Sequence, residues 1–206
     1  MPQRHTRPNL NPRQRLAVSL ASYYACAKRS RVDLPLRRGL RSGGIPQRYV
    51  AEVFIHLSLV LGSPAMLDGL EKLRNLVPPK RPRIRSRPRM TRRAGLSALR
   101  RVYGTQWRKL LRNLALLHPE LPQWIVAESY GRVISRPGLS LGDRELLNIV
   151  VLAYQGLERQ LYSHLRGALR VGVPPGVIVA ALKLSSRRTG KSVSASIQMF
   201  RAMTAG

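Results

Sequence analysis

The sequence predicts an all-α protein made of two related helical units joined by a basic, proline-rich connection. Three observations point there. Apolar residues recur at helical spacing through most of the chain, as in Leu96, Leu99, Val102 and Tyr103. No stretch alternates apolar and polar residues as a half-buried strand would. A shift of the sequence by 128 positions (166 minus 38) lays the helix-end signals of one half over those of the other. In that register Arg38, Gly39, Gly44 and Pro46 meet Arg166, Gly167, Gly172 and Pro174, and Gly62 meets Gly190. Each half then reads as a helix, a glycine stop, a proline-started helix and a second glycine break.

The elements follow in order. Residues 1–13 are polar and proline-rich and read as a loose basic tail, and residues 14–77 carry the first helical unit. Residues 78–93 hold eight basic residues, four prolines and no acid, a composition that neither buries a core nor continues a helix. Residues 94–206 form the second unit. Its first helix carries Leu110, Leu111, Leu114 and Leu117 beyond the apolar face already named, with Arg92, Arg93, Arg100, Arg101, Arg108, Lys109 and Arg112 over much of its remaining surface, and ends at His118-Pro119. A helix over 123–134 comes next. Ser140 is an N-cap candidate for a helix running to Gln155-Gly156. Another helix spans about 158–171 and stops at Gly172, Pro174-Pro175 starts the next, and Gly190 breaks the last stretch.

Composition narrows the function classes. With 44% hydrophobic residues the chain can bury a core. The 37 Lys and Arg residues against 9 acids leave a net charge of +28, and a chain so basic associates with polyanions at low salt. Compositional bias and a selected nucleic-acid or anionic-membrane surface both account for it. The single cysteine, Cys26, leaves no intramolecular disulfide, CxxC redox pair or cysteine-rich zinc site. His5, His56, His118 and His164 lack metal-ligand spacing, so no metal or other cofactor is expected. No apolar run reaches the ~20 residues a membrane span needs. The N-terminus has no secretory h-region, which makes the cytoplasm the expected location. Few aromatic residues, 5%, weaken any scheme of stacking single-stranded bases.

One pair of residues has usable chemistry. Glu145 opens a strongly apolar helix, and His164 lies nineteen residues on, in the next helix (164 minus 145). The break at Gly156 falls near their midpoint, so a helical hairpin brings both to one end. A carboxylate beside an imidazole is an acid–base couple; a capping glutamate and a structural histidine are the alternatives. His56, in the first unit, either reaches a shared pocket or is structural.

The run from His118-Pro119-Glu120-Leu121 through Arg136-Pro137-Gly138-Leu139-Ser140 and Asp143-Arg144-Glu145-Leu146 to Gln160-Leu161-Tyr162-Ser163-His164-Leu165-Arg166-Gly167-Ala168-Leu169 resembles the carboxymuconolactone decarboxylase family. Glu52 through Ala65 looks like that family's later helices, so the chain resembles a tandem or rearranged member. The resemblance implies a helical-hairpin fold and assembly into trimers or hexamers. It implies two kinds of chemistry: decarboxylation of a lactone acid, and the AhpD-like reduction of peroxides by a CxxC pair with a Glu and a His. Glu145 and His164 fall on the Glu and His positions, whereas Leu157 and Gln160 fall on the two cysteine positions, which removes the thiol chemistry. The decarboxylase branch shows a Q-L-x-x-H pattern, matched by Gln160 to His164. Glu145 and His164 are then the implied catalytic residues, with Gln160, Arg144 and Arg136 as candidate contacts for a small carboxylate substrate. At the 128 offset Ala17 and Leu36 replace Glu145 and His164, so the first unit keeps the scaffold without the pair. The expected activity is a cofactor-free lyase or isomerase acting on a small carboxylate or lactone. The alternative is a non-catalytic scaffold that holds nucleic acid or an acidic partner through its basic surface, Arg81, Arg83, Arg85, Arg87 and Arg89 included.

Overall fold

The computed structural model describes residues 9–42, 44–77 and 92–205, and the described residues contain helices and no strand. The expected tail up to residue 8, the connection over 78–91 and its arginines Arg81 to Arg89 lie outside them.

The first unit holds α1 (Pro12–Ala25), α2 (Asp33–Arg41) and α3 (Gln47–Leu76). Helix α1 begins inside the expected tail because Asn11 and Gln14 form a reciprocal capping box and Pro12 occupies the first turn. Gly62, at φ 78° and ψ 170°, leaves helical geometry and divides α3 where the sequence predicted a break. By length and composition α3 is also apolar enough to cross a membrane, contrary to the expectation that no segment is; 39% of its most apolar window is buried inside the protein. Its first half supplies Val50, Val53, Phe54 and Leu57 to the core.

The second unit starts with α4 (Arg92–Tyr103) and α5 (Trp107–Leu117). The sequence reads these as one helix. Gly104 adopts φ 56° and opens a short 3-10 turn that separates them. Helix α6 (Leu121–Trp124) runs straight into a wider, π-type helix over Ile125–Ile134, so the helix expected at 123–134 is present with looser winding. Gly95 lets α4 lie directly on that segment, since a Cβ there would enter the Val126 carbonyl oxygen. Then follow α7 (Leu141–Gln155), α8 (Glu158–Arg170), α9 (Pro175–Thr189) and α10 (Ser194–Ala205).

The repeat is visible in the backbone. Adding 128 to α1, α2 and the two parts of α3 lands on α7, α8, α9 and α10. Pro46 (φ −61°, ψ 137°) and Pro174 (φ −61°, ψ 139°) start equivalent helices with nearly identical geometry. Helix α1 packs on its counterpart α7, and each also packs on the other's proline-started helix, α1 on α9 and α7 on α3. One hydrophobic core therefore draws on both units, from Leu16 and Leu20 through Phe54 to Ile149, Leu165 and Ile178. This exchange places residues of α3 beside the α7–α8 hairpin.

Candidate functional site

Helix α7 is held at both ends by local chemistry. Ser140 Oγ accepts the Asp143 amide at 3.0 Å, and Gly156 closes the helix in the left-handed conformation at φ 68°. The turn at Gly156 folds α8 back on α7 and brings the predicted pair together: His164 Nδ1 lies 2.8 Å from Glu145 Oε2. The Glu145 side chain is 1% exposed and that of His164 18%. The second carboxylate oxygen, Oε1, meets no hydrogen-bond partner among the described residues. Gly167 makes the approach possible. A Cβ there would lie 2.8 Å from both Glu145 Oε2 and Val102 Cγ1, so only glycine lets α8 sit this close to α7 and α4.

Two tyrosines complete the surroundings of Glu145. The rings of Tyr103 on α4 and Tyr130 on the π-type segment meet edge to face, 6.3 Å between centroids. Burial, with the Glu145 charge adding to it, pushes the Tyr103 phenol up to about 12 and raises that of Tyr130 further. Both remain protonated at neutral pH.

The imidazole is also the end of a buried polar chain that crosses from one unit to the other. Asn148 Nδ2 is 3.3 Å from His164 Nδ1, and Asn148 Oδ1 is 2.9 Å from His56 Nε2 on α3. His56 Nδ1 faces Arg144 Nη1 at 3.4 Å. Arg144 Nη2 donates to the Arg136 carbonyl at 2.9 Å and lies 3.7 Å from Glu52 Oε2. Glu52 in turn takes a bidentate contact from Arg136, with Nε–Oε2 at 2.8 Å and Nη2–Oε1 at 2.6 Å. Gly138, at φ 105°, wraps the loop so tightly over Glu52 that a Cβ would sit 2.9 Å from its Cγ.

Burial sets the charges in this chain. His56 is fully buried, and desolvation together with the neighbouring Arg144 charge holds its ring at about 3, so it is neutral at pH 7. The bonds to Asn148 and to the Arg144 main chain act in the opposite direction and do not offset this. Arg144 is fully enclosed. Desolvation lowers it to about 10, with Glu52 opposing, and it stays charged at neutral pH. The Glu52 hydrogen bonds raise Arg136.

The structure thus brings Glu145, His164 and Arg144 into one connected cluster, with Arg136 at its far end. Arg144 does not stand open as a substrate contact: its terminal nitrogens face Glu52, His56 and the Arg136 carbonyl. Gln160 is exposed, one turn before His164 on α8. Ala17 and Leu36, the first unit's counterparts of the pair, are buried in the core. Leu157 and Gln160 occupy exposed positions at the start of α8, far in sequence from Cys26, whose thiol burial pushes up. Among the described residues no group of three or more His, Cys, Asp or Glu is gathered to hold a metal ion.

Asn148 and Glu52 escaped the sequence reading as site residues. Their signal is present in the sequence: Arg144/Asn148 and Glu52/His56 are both i,i+4 polar pairs within mostly apolar stretches of helix, a pattern that places two polar groups on one face.

Residues 119–195 match the model of the carboxymuconolactone decarboxylase family. Over 183 residues the chain is 24% identical to "Peroxisomal protein 2" of Schizosaccharomyces pombe (strain 972 / ATCC 24843), covering 85% of each chain. The matched segment contains Glu145, Asn148 and His164 and lacks the CxxC pair. Over that segment the chain is similar to the carboxymuconolactone decarboxylase family.

Proposed function

We propose that the protein is a cofactor-free lyase or isomerase that acts on a small carboxylate or lactone, with Glu145 and His164 as its acid–base pair. The observation that carries this is the 2.8 Å contact between a buried carboxylate and a partly exposed imidazole. Loss of carbon dioxide from a lactone acid leaves an enolate, which needs one proton on carbon. His164 Nε2, paired with no described residue, is the group to deliver it, and Glu145 Oε2 shares a proton with the ring's other nitrogen, Nδ1. Gln160, one helical turn away, is the candidate contact for the substrate carboxylate or lactone oxygen, and Arg136 is a second at the loop. Assembly into a trimer or hexamer, as the family implies, is part of this proposal. So is a cytoplasmic location, which cell fractionation tests against the peroxisomal one in the relative's name.

The test is a panel of small lactone acids, followed by carbon dioxide release and by deuterium uptake at the carbon next to the carboxylate. Glu145→Gln and His164→Gln are expected to lower turnover ~10²–10⁴-fold. Absence of both release and exchange across the panel, or rates unchanged by both substitutions, ends the lyase assignment. An AhpD-type peroxidase is disfavoured, because the sequence holds no second thiol to resolve an oxidised Cys26.

A second reading has its own support. Two guanidinium groups lie over the Trp107 ring, that of Arg100 at 4.6 Å and that of Arg108 at 4.7 Å from its centroid. Arg101, Lys109 and Arg112 are exposed along the same two helices, a basic face with an aromatic at its centre. This suits a scaffold that holds nucleic acid or an acidic partner, to which Arg81, Arg83, Arg85, Arg87 and Arg89 would add. Binding to a nucleic-acid duplex should weaken steeply with salt, and the double change Arg100→Gln/Arg108→Gln should cut the slope of log K against log salt by about 2. An unchanged slope excludes this face.

A further inference from the structure

The polar chain has a direction. A guanidinium only donates, so Arg144 facing His56 Nδ1 at 3.4 Å requires a bare nitrogen there. His56 is uncharged, and its one proton then sits on Nε2 and is donated to Asn148 Oδ1 at 2.9 Å. With its oxygen so engaged, Asn148 turns its amide N–H groups toward His164 Nδ1, 3.3 Å away. That nitrogen therefore faces a donor from Asn148 and an oxygen of Glu145 at 2.8 Å. One proton is shared between Oε2 and Nδ1. On Nδ1 it points at Glu145 and opposes the Asn148 donor. On Oε2 it leaves Nδ1 bare, and the Asn148 N–H is then satisfied.

We propose that Asn148, oriented through His56 by Arg144, is a positioning residue that draws the shared proton of the Glu145–His164 pair from Nδ1 toward the carboxylate, so that His164 carries its own proton on Nε2. The proposal rests on reading the pair as the acid–base couple and says how the first unit, which has no such pair, still serves it. Nε2–H gives its proton to the enolate carbon while Oε2–H gives its proton to Nδ1; one C–H bond forms, the imidazole stays neutral and the negative charge ends on Glu145. A solvent proton taken up at Nε2, with return of the Nδ1 proton to Oε2, restores the starting state.

The test is the ¹⁵N spectrum of the histidine rings in the ligand-free, full-length protein, which reports the tautomer and requires no turnover. In the wild type the His56 proton is expected on Nε2. In Asn148→Leu, of similar volume and without a donor, the His164 Nδ1 resonance should move toward the protonated type, with the ratio of the two tautomers changing about five-fold for the loss of one hydrogen bond. Asn148→Asp, which offers only acceptors, should move it in the same direction. A His56 proton on Nδ1, or a His164 Nδ1 resonance unmoved in both variants, overturns the proposal; if neither variant folds, the wild-type His56 tautomer decides it. A moved resonance in a protein that turns over no lactone acid would instead sink the lyase assignment and leave the positioning intact, so the two failures are distinct.

Discussion

Replacing Glu52 by alanine is expected to cost about 3–5 kcal/mol of folding stability, the range for removing one partner of a buried charge pair. For a chain of this size that is a drop on the order of 10 °C in melting temperature. The size follows from what Glu52 faces. Its side chain is 9% exposed and stands between two guanidinium groups, one of which, Arg144, is completely enclosed. Without the carboxylate, Arg144 keeps its charge in a site that already costs it affinity for its proton. No side chain can swing it to water. Arg136→Gln is expected to be milder, since Arg136 is 18% exposed and Glu52 keeps Arg144. The double change Glu52→Ala/Arg144→Met should be less destabilising than the sum of the two single changes, because it removes the stranded charge with its partner. Urea unfolding of the four proteins measures this. A loss below about 1 kcal/mol for Glu52→Ala would mean that water reaches Arg144 and that the cluster is not the sealed one described above.

The fold was readable because its signals are local. Glycine and proline mark helix ends by backbone geometry alone, and Gly62, Gly156, Gly172 and Gly190 all take positive φ where the sequence predicts breaks. Features set by contact were not readable in the same way. The π-type winding of Ile125–Ile134 accompanies the packing of α4 through Gly95, a tertiary event with no counterpart in propensity. The split at Gly104 is not legible in the sequence because the apolar spacing of Leu96 to Leu117 continues in phase across it. The early start of α1 depends on Asn11 and Gln14 acting together, whereas proline content by itself points to a tail.

The site divides along the same line. Glu145 and His164 lie on adjacent helices joined by a glycine turn, so their meeting follows from hairpin geometry and spacing. Glu52 and His56 reach the same place only because α3 packs on α7, which no local pattern announces. The 128-residue offset explains the arrangement after the fact. Glu52 and His56 correspond to Ala180 and Leu184, as Ala17 and Leu36 correspond to Glu145 and His164. Each unit has polar residues where its counterpart has apolar ones, and the single cluster is assembled from both. Arg144 shows why charge cannot be read without burial: an arginine beside Glu145 in the sequence suggests a substrate clamp, and its full enclosure turns it toward His56 instead.

That enclosure gives His56 the second large effect, a dependence of stability on acid. In the unfolded chain the ring takes up its proton near pH 6.5. In the folded protein burial and Arg144 hold it off until about pH 3. Between those values the unfolded state binds one more proton than the folded state, so stability is complete above pH 6.5 and falls as the pH drops toward 3, at about 1.4 kcal/mol per unit. At pH 4 the loss from this ring alone comes to roughly 3 kcal/mol. The measurement is a difference, which isolates this ring: urea unfolding of wild type and His56→Gln at half-unit steps from pH 7 to 4. Gln keeps a donor and an acceptor between Arg144 and Asn148 and cannot take up a proton. The wild-type curve should steepen against the variant's by about one proton, with the gap between them narrowing as the pH falls. Parallel curves would mean that His56 accepts a proton within the folded protein, and the donor order from Arg144 to Asn148 would then fail at low pH along with them.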